Sequence, residues 1–399
     1  MKILSIATTY PRWIGDSEPA FVHLLNKELR RRGHGVTALV PHAESAPRLE
    51  IRDGVDIKRF RYFIPTGLQR LCYDGGIMPS LARDPIAWIN LPVFLALLFL
   101  AIRREVRCRN YDVVHCHWLI PQGFFCVLLR RTLGFPLVIS AHGGDVFTEN
   151  APFRLLNAVV CRSSAALTAN SRGSKERMVK LGAGEDVRLI PMGVDIDSFC
   201  PSRREPAIHE RMGGGGPQLL FVGRFAEKKG IKYSIGAMPL IIERLPGAKL
   251  ALVGFGPLEK ELTAEIRKHD LEQKIKILGR VEAERMPVIM ASADLFILPS
   301  IMARSGDTEG LGVVILEAMA SEVPVVATSV GGITDIVVHE DTGLLCSPKD
   351  VHSLADACVR MCSDDVLRER CRKTARRRVE RNYSWSAVGR RFEELFLKL

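Results

Sequence analysis

The sequence predicts an α/β protein built from two doubly wound parallel-sheet domains that face a central cleft. Three observations carry this expectation. Short apolar runs alternate with helical patterns from end to end, as in strand–helix–strand units whose sheet is covered on both faces. The alternation lapses once, from Ser202 to Pro217, into charged residues and the glycine run Gly213 to Gly216, which is a linker signal. The chain's 399 residues also exceed one ordinary core, given about 150 residues per domain.

The front strands are read at 2–8, 36–41, 112–116, 137–141, 166–170 and 187–191. Between the first two, a helix over about 19–32 has Pro19 at its start and Gly33 at its stop. A second series follows at 218–223, 248–254, 274–279, 294–300 and 323–328. The expected division is 1–195 for the first domain and 196–383 for the second. A closing helix over about 384–399 packs back on the first domain. In sheets of this kind ligands sit beyond the carboxyl ends of the strands. The loop after the first strand reads TTYPRWIGD, with Gly15 its only glycine, so the G-x-G-x-x-G signature of a dinucleotide cofactor is missing.

The formal charge of +11 is uneven. Residues 1–190 hold 26 Lys+Arg against 16 Asp+Glu, residues 191–365 hold 19 against 25, and residues 366–399 hold 11 against 4. A basic front half points to something anionic, such as a membrane surface or a phosphorylated acceptor. Nucleic acid is not expected, for there is no zinc-finger spacing, RNA-binding signature or basic run interleaved with aromatics. Ten cysteines without a Cys-x-x-Cys pair suit a reducing, cytoplasmic setting, and Lys2 to Ala7 reads as a strand rather than a signal peptide. The segment Trp88 to Ile102 is the most apolar. With 15 residues and Pro92 inside, it is short of the roughly 20 that span a bilayer. A buried helix is expected there; the alternative is a helix in the membrane interface, with Arg103, Arg104, Arg107 and Arg109 near head groups.

The densest chemistry lies in DTEGLGVVILEAMA, Asp307 to Ala320. Glu309 and Glu317 are eight positions apart with a Gly-Leu-Gly turn between them. A helix N-terminus offers unpaired N–H groups and a positive dipole end, which suit a diphosphate, and glycines allow close approach. With Glu309 just before the helix and Glu317 two turns into it, the carboxylates would lie on the order of 10 Å apart, enough to hold a sugar at each end of a diphosphate. The competing possibilities are solvated helix acids and, for Asp307 with Glu309, a metal site that lacks further ligands nearby. In GRFAEKKG, Arg224 and Lys229 flank a turn after a strand and would neutralise a diphosphate leaving group. In AHGGDVF, His142 would offer a hydrogen bond to a sugar, with Gly143 and Gly144 permitting close approach. His115 and His117 share a strand face like a zinc pair, but no third ligand stands near. LVGFGP and TSVGGITDIV are further glycine turns after strands.

Taken in order, GRFAEKKG, LVGFGP, LGRVEAERMPVIMASADLFILPS, EGLGVVILEAMAS and PVVATSVGGITDIV resemble the retaining family 4 glycosyltransferases of the GT-B fold. YPRWIGD, YDVVHCHWLIPQG and AHGGD extend the resemblance over nearly the whole chain. It implies that Arg224 and Lys229 bind the donor diphosphate, Glu317 the ribose and Glu309 the transferred sugar. The backbone of Gly310, Leu311, Gly312, Val313 and Val314 would meet phosphates and sugar, and Val281 would flank the nucleobase. His142 would lie by the sugar and Gly15 by the diphosphate, although many relatives carry paired glycines where Gly15 stands alone.

The implied reaction moves a hexose from a UDP- or GDP-sugar to a hydroxyl of a saccharide or lipid-linked acceptor, without metal or other cofactor. It would serve cell-surface polysaccharide or glycolipid assembly. Retention would follow a front-face route, or a double displacement with Glu309 or Asp145 as nucleophile. A sugar-nucleotide epimerase, a phosphorylase and a catalytically silent scaffold remain open alternatives. The protein would be cytoplasmic, with peripheral attachment to the cytoplasmic face of the membrane as the alternative.

Overall fold

Apolar runs too short for helices become the central strands of two sheets. The computed structural model describes residues 1–399 except Ser17, Asp74, Glu149 and Ser164. Met1–Pro191 with Val388–Leu399 form one unit, and Met192–Ala387 the other.

The first unit runs β1 (Lys2–Ile6), α1 (Phe21–Arg31), β2 (Gly35–Pro41), β3 (Leu49–Arg52), β4 (Val55–Phe60), α2 (Ile77–Arg83), α3 (Pro85–Cys108), β5 (Val113–His117), α4 (Phe124–Leu133), β6 (Leu137–Ala141), α5 (Ala151–Cys161), β7 (Ala166–Ala169), α6 (Arg172–Lys180) and β8 (Arg188–Leu189). Its sheet has the order β3-β4-β2-β1-β5-β6-β7-β8. All pairings are parallel except β3 with β4. Strands β5 and β6 are buried at every residue, which is why they read as unbroken apolar runs. The order reverses between β1 and β5, so the loops leaving these two strands diverge and open a crevice at their carboxyl ends.

The second unit runs α7 (Pro206–Met212), β9 (Gln218–Val222), α8 (Ile231–Arg244), β10 (Lys249–Val253), α9 (Glu259–Lys268), β11 (Ile275–Gly279), α10 (Met286–Ala291), β12 (Leu295–Leu298), α11 (Val313–Ala320), β13 (Val325–Thr328), α12 (Ile333–Ile336), β14 (Leu344–Cys346), α13 (Val351–Ser363) and α14 (Asp365–Asn382), and ends in the first turn of α15 (Trp385–Phe396). Its six strands, in the order β11-β10-β9-β12-β13-β14, are all parallel. Here the reversal falls between β9 and β12. The rest of α15 belongs to the first unit, where Arg32 and His34 bind Glu393 at 2.5 and 2.9 Å and Phe392 packs 4.8 Å from the His115 ring.

Two expectations need correction, and one element was not foreseen. The stretch 49–60 is a hairpin, signalled by Asp53-Gly54 between alternating residues; both turn residues have positive φ, 50° and 75°, as a two-residue hairpin turn requires. The linker 202–217 carries α7, anchored where Arg204 and His209 meet Asp294 at 2.7 and 2.8 Å. Finally, the apolar segment is neither short nor buried. Asp84 caps α3 by accepting from Ile86 N, Pro85 supplies the first turn, and the helix continues through Arg103–Cys108 to 24 residues. Of its most apolar 18 residues, only 28% are buried.

Candidate active site

The reversal between β9 and β12 brings two loops together that lie 80 residues apart in sequence. Ile301 N donates to Lys228 O at 2.8 Å, which ties the loop after β12 to the one after β9. On this frame Lys229 Nζ lies 2.5 Å from Glu309 Oε2, and Lys228 Nζ lies 3.0 Å from Asp307 Oδ2. Ser300 Oγ donates to the same Glu309 oxygen at 3.5 Å. Burial by itself would raise the pKa of Glu309, but the adjacent Lys229, with Lys228 and Ser300, holds the carboxyl below its usual range. The two acids weighed as a metal pair are therefore each matched to a lysine. Arg224, on the same loop as Lys229, is exposed and has no ion-pair partner among the described residues.

Glu317 occupies the fifth position of α11, little more than one turn in, because the helix begins only at Val313. The expected two turns fail because Gly312 adopts a left-handed φ of 82° and Gly310 and Leu311 remain non-helical. Val313 and Val314 open the helix beside it. Burial, with no charge among the described residues to offset it, pushes Glu317 up to about 7. Sequence reasoning missed the support behind Glu309. Gly332 N donates to Glu309 O at 3.0 Å, and a Cβ on Gly331 would stand 2.2 Å from that same oxygen. The glycine pair in TSVGGITDIV, seen as one turn among several, is the backing of the Glu309 loop. Val281 is half-buried after β11, next to Arg280, whose guanidinium lies 4.7 Å over the exposed Phe255 ring.

In the first unit His142 follows β6. Its ring is boxed by Phe21 and Trp118, each with centroids 5.0 Å away, and stacks on His117 at 5.3 Å. His142 Nε2 lies 3.1 Å from His117 Nδ1, and His117 Nε2 lies 3.4 Å from Ser5 Oγ. Burial pushes His142 down to about 3 and His117 well below its usual value, so both rings are neutral near pH 7. When Ser5 donates to His117, and His117 Nδ1–H to His142, His142 carries its proton on Nδ1. That atom is buried and has no partner among the described residues. His115, the other member of the zinc pair weighed above, bonds Ser140 Oγ at 2.8 Å.

Asp145 accepts from Leu119 N at 2.9 Å and His142 N at 3.1 Å, clamping the turn that presents His142. Gly15 is exposed with φ 76°, in a loop stapled by Arg12 to Asp16 at 2.9 Å. Beside this loop lies a cavity of about 530 Å³ whose lining includes Arg12, Trp13, Glu44, Gln69, Arg70 and Tyr73.

Parallel sheets with charged loops at their reversal points define a class of nucleotide- or sugar-binding α/β proteins. Comparison with known proteins narrows this. Residues 20–198 match the model "Glycosyltransferase Family 4", and residues 207–378 match "Glycosyl transferases group 1". An alpha-D-kanosaminyltransferase of Streptomyces kanamyceticus is 30% identical over 92% of this chain and 96% of its own. A GDP-mannose-dependent monoacylated alpha-(1-6)-phosphatidylinositol monomannoside mannosyltransferase of Corynebacterium glutamicum is 34% identical over 74% of this chain and 78% of its own. Sucrose-phosphate synthase from Thermosynechococcus elongatus has the same GT-B fold, with a TM-score of 0.78 at 22% identity over 100% and 98% of the two chains. The chain belongs to the family 4, group 1 glycosyltransferases.

Proposed function

We propose that this glycosyltransferase moves a hexose from a UDP- or GDP-sugar to a hydroxyl of a saccharide or lipid-linked saccharide, with retention at the anomeric carbon, in cell-surface polysaccharide or glycolipid assembly. The observation that carries this is the Lys229–Glu309 pair, 2.5 Å apart at a sheet's reversal point, with Arg224 exposed on the same loop. Arg224 and Lys229 neutralise the diphosphate as the glycosidic bond breaks, helped by N–H groups at the start of α11 from Gly310 to Val314. Glu309, held ionised, accepts hydrogen bonds from the hydroxyls of the transferred sugar. Glu317 binds the ribose, Val281 flanks the nucleobase, His142 donates from Nδ1 to the sugar and Gly15 approaches the diphosphate.

The leaving phosphate oxygen takes the acceptor proton on the same face, so no enzymic nucleophile is required. Asp145 suits that role poorly, because both its oxygens serve backbone N–H groups. Two cations at the diphosphate do the work for which a metal is otherwise needed. The acceptor's saccharide fits the polar cavity beside Trp13, and the mannosyltransferase relative, by its name, acts on a mannosylated phosphatidylinositol. Ten unpaired cysteines, seven of them buried, support a cytoplasmic setting.

The test is transfer from a panel of sugar nucleotides, with binding read by thermal shift. A ligand at a hundred times its dissociation constant stabilises the fold by about 2.7 kcal/mol. Glu309→Ala and Arg224→Ala should abolish transfer and keep a cooperative melt; wild-type rates in either variant would refute the assignment. Turnover that needs no acceptor would favour the epimerase, and dependence on orthophosphate the phosphorylase.

A further inference from the structure

Helix α3 is apolar on two opposite faces. Ala87, Phe94, Leu98 and Ile102 point into the core of the first unit and are fully buried. On the other side Ile89, Val93 and Leu100 recur at spacings of four and seven, with Pro92 and Ala96 between them, all exposed. At 100° per residue these make one outward stripe. Ile89 is 62% exposed, Leu100 50% and the neighbouring Trp88 61%. A stripe of this kind in water costs free energy unless something covers it.

The charges at its ends say what does. Arg103, Arg104 and Arg107 continue the outward face for the last turns of the helix, exposed and without an ion pair among the described residues. At the other end stand the exposed Arg83, which closes α2, and Arg70, 3.6 Å from the helix cap Asp84. Cations therefore bracket about 18 Å of apolar surface, counting 1.5 Å per residue from Trp88 to Leu100. A second copy laid against this stripe, parallel or antiparallel, would oppose arginines to arginines. The buried inner face keeps α3 in its own unit, which suits a helix lying along a bilayer surface and not one crossing it.

We propose that α3 is a docking face for an anionic lipid bilayer. The stripe Ile89, Val93, Ala96 and Leu100 enters the head-group and acyl boundary, Trp88 sits at that boundary, and the arginines at both ends meet lipid phosphates. This rests on the exposed face alone and stands whether or not the sugar-transfer assignment holds.

The experiment is co-sedimentation of the full chain with phosphatidylcholine vesicles, with and without phosphatidylglycerol. The expected result is at least about a hundredfold tighter binding to the anionic vesicles, lost to high salt and weakened about a hundredfold by Arg103→Gln/Arg104→Gln/Arg107→Gln, since three arginines near a charged surface count for about 1 kcal/mol each. Ile89→Glu/Leu100→Glu should abolish it with the melting curve unchanged. Lipids brominated on their acyl chains should quench the wild type and leave Trp88→Phe unquenched, a readout that needs no stripe variant to fold. No binding to anionic vesicles, or binding that survives Ile89→Glu/Leu100→Glu, would overturn the proposal. So would a dimer in sedimentation velocity that the same double substitution dissociates while vesicles bind nothing.

Discussion

Lys229 Nζ stands 2.5 Å from Glu309 Oε2, with both side chains largely buried. The pair neutralises itself in the free protein, so neither charge must be desolvated alone when a ligand arrives. Removing one partner strands the other, at a cost of about 3–5 kcal/mol. Lys229→Ala and Glu309→Ala should each lower the denaturation midpoint of the second unit, and Lys229→Ala/Glu309→Ala should cost less than their sum. All three should lose transfer. A double-mutant cycle in urea, with rates measured alongside, checks both statements.

The proposed role of Glu317 predicts that nucleotide binding depends on pH. Its folded value of about 7 lies above the 4.5 of a free side chain. With Glu317 holding the ribose as proposed, its ionised form is the better acceptor, so affinity for a nucleotide sugar should rise with pH up to about 7 and level off above it. Titration calorimetry should find that slope, and Glu317→Gln should flatten it. Linkage also sets the sign for stability. The unfolded chain gives up this proton first, so the free protein loses stability as pH rises from 4.5 to about 7.

Gly331→Ala should injure the site without touching its chemistry. The φ of 51° is strained for any side chain, and the new Cβ would meet the Glu309 carbonyl oxygen at 2.2 Å. The Glu309 loop must move. The rate of transfer should fall at least about tenfold, an assay that follows from the sensitivity of catalysis to small displacements, while hydrogen exchange increases over 307–312.

His117 should act through His142. Nitrogen-15 shifts should report the Nδ1–H tautomer of His142 in the wild type and a mixture in His117→Phe, where the donor to Nε2 is gone. The transfer rate should fall with little change in nucleotide affinity. An unchanged tautomer in His117→Phe would refute the coupling.

Much of this was legible from single stretches of chain. The strands of both sheets buried on two faces declare themselves as apolar runs, and α1 by its proline and glycine ends. Strand β14, three residues long, and the hairpin of β3 and β4 were missed, the first because so short a run has no period and the second because its alternation was not set against Asp53-Gly54. In the site, Glu309, Lys229, Arg224 and His142 stood out by residue type beside glycine turns. Lys228 and Ser300 did not, and His117 and the Gly331–Gly332 pair stood out only as half of a weighed zinc pair and as one turn among several, since their roles depend on what they touch.

The sequence by itself determined the two sheets, the basic first unit and the residues that carry charge or a free imidazole, because strand period, glycine turns and ionisable groups are local properties. Only the tertiary structure decided which of them meet. The reversal between β9 and β12 sets Lys229 against Glu309 across 80 residues of chain, and that lysine gives Glu309 a shift opposite to that of Glu317, although both are buried glutamates in one short motif. The apolar face of α3 was left bare by packing as well, for hydropathy counts apolar residues and cannot tell which side of a helix the core will cover.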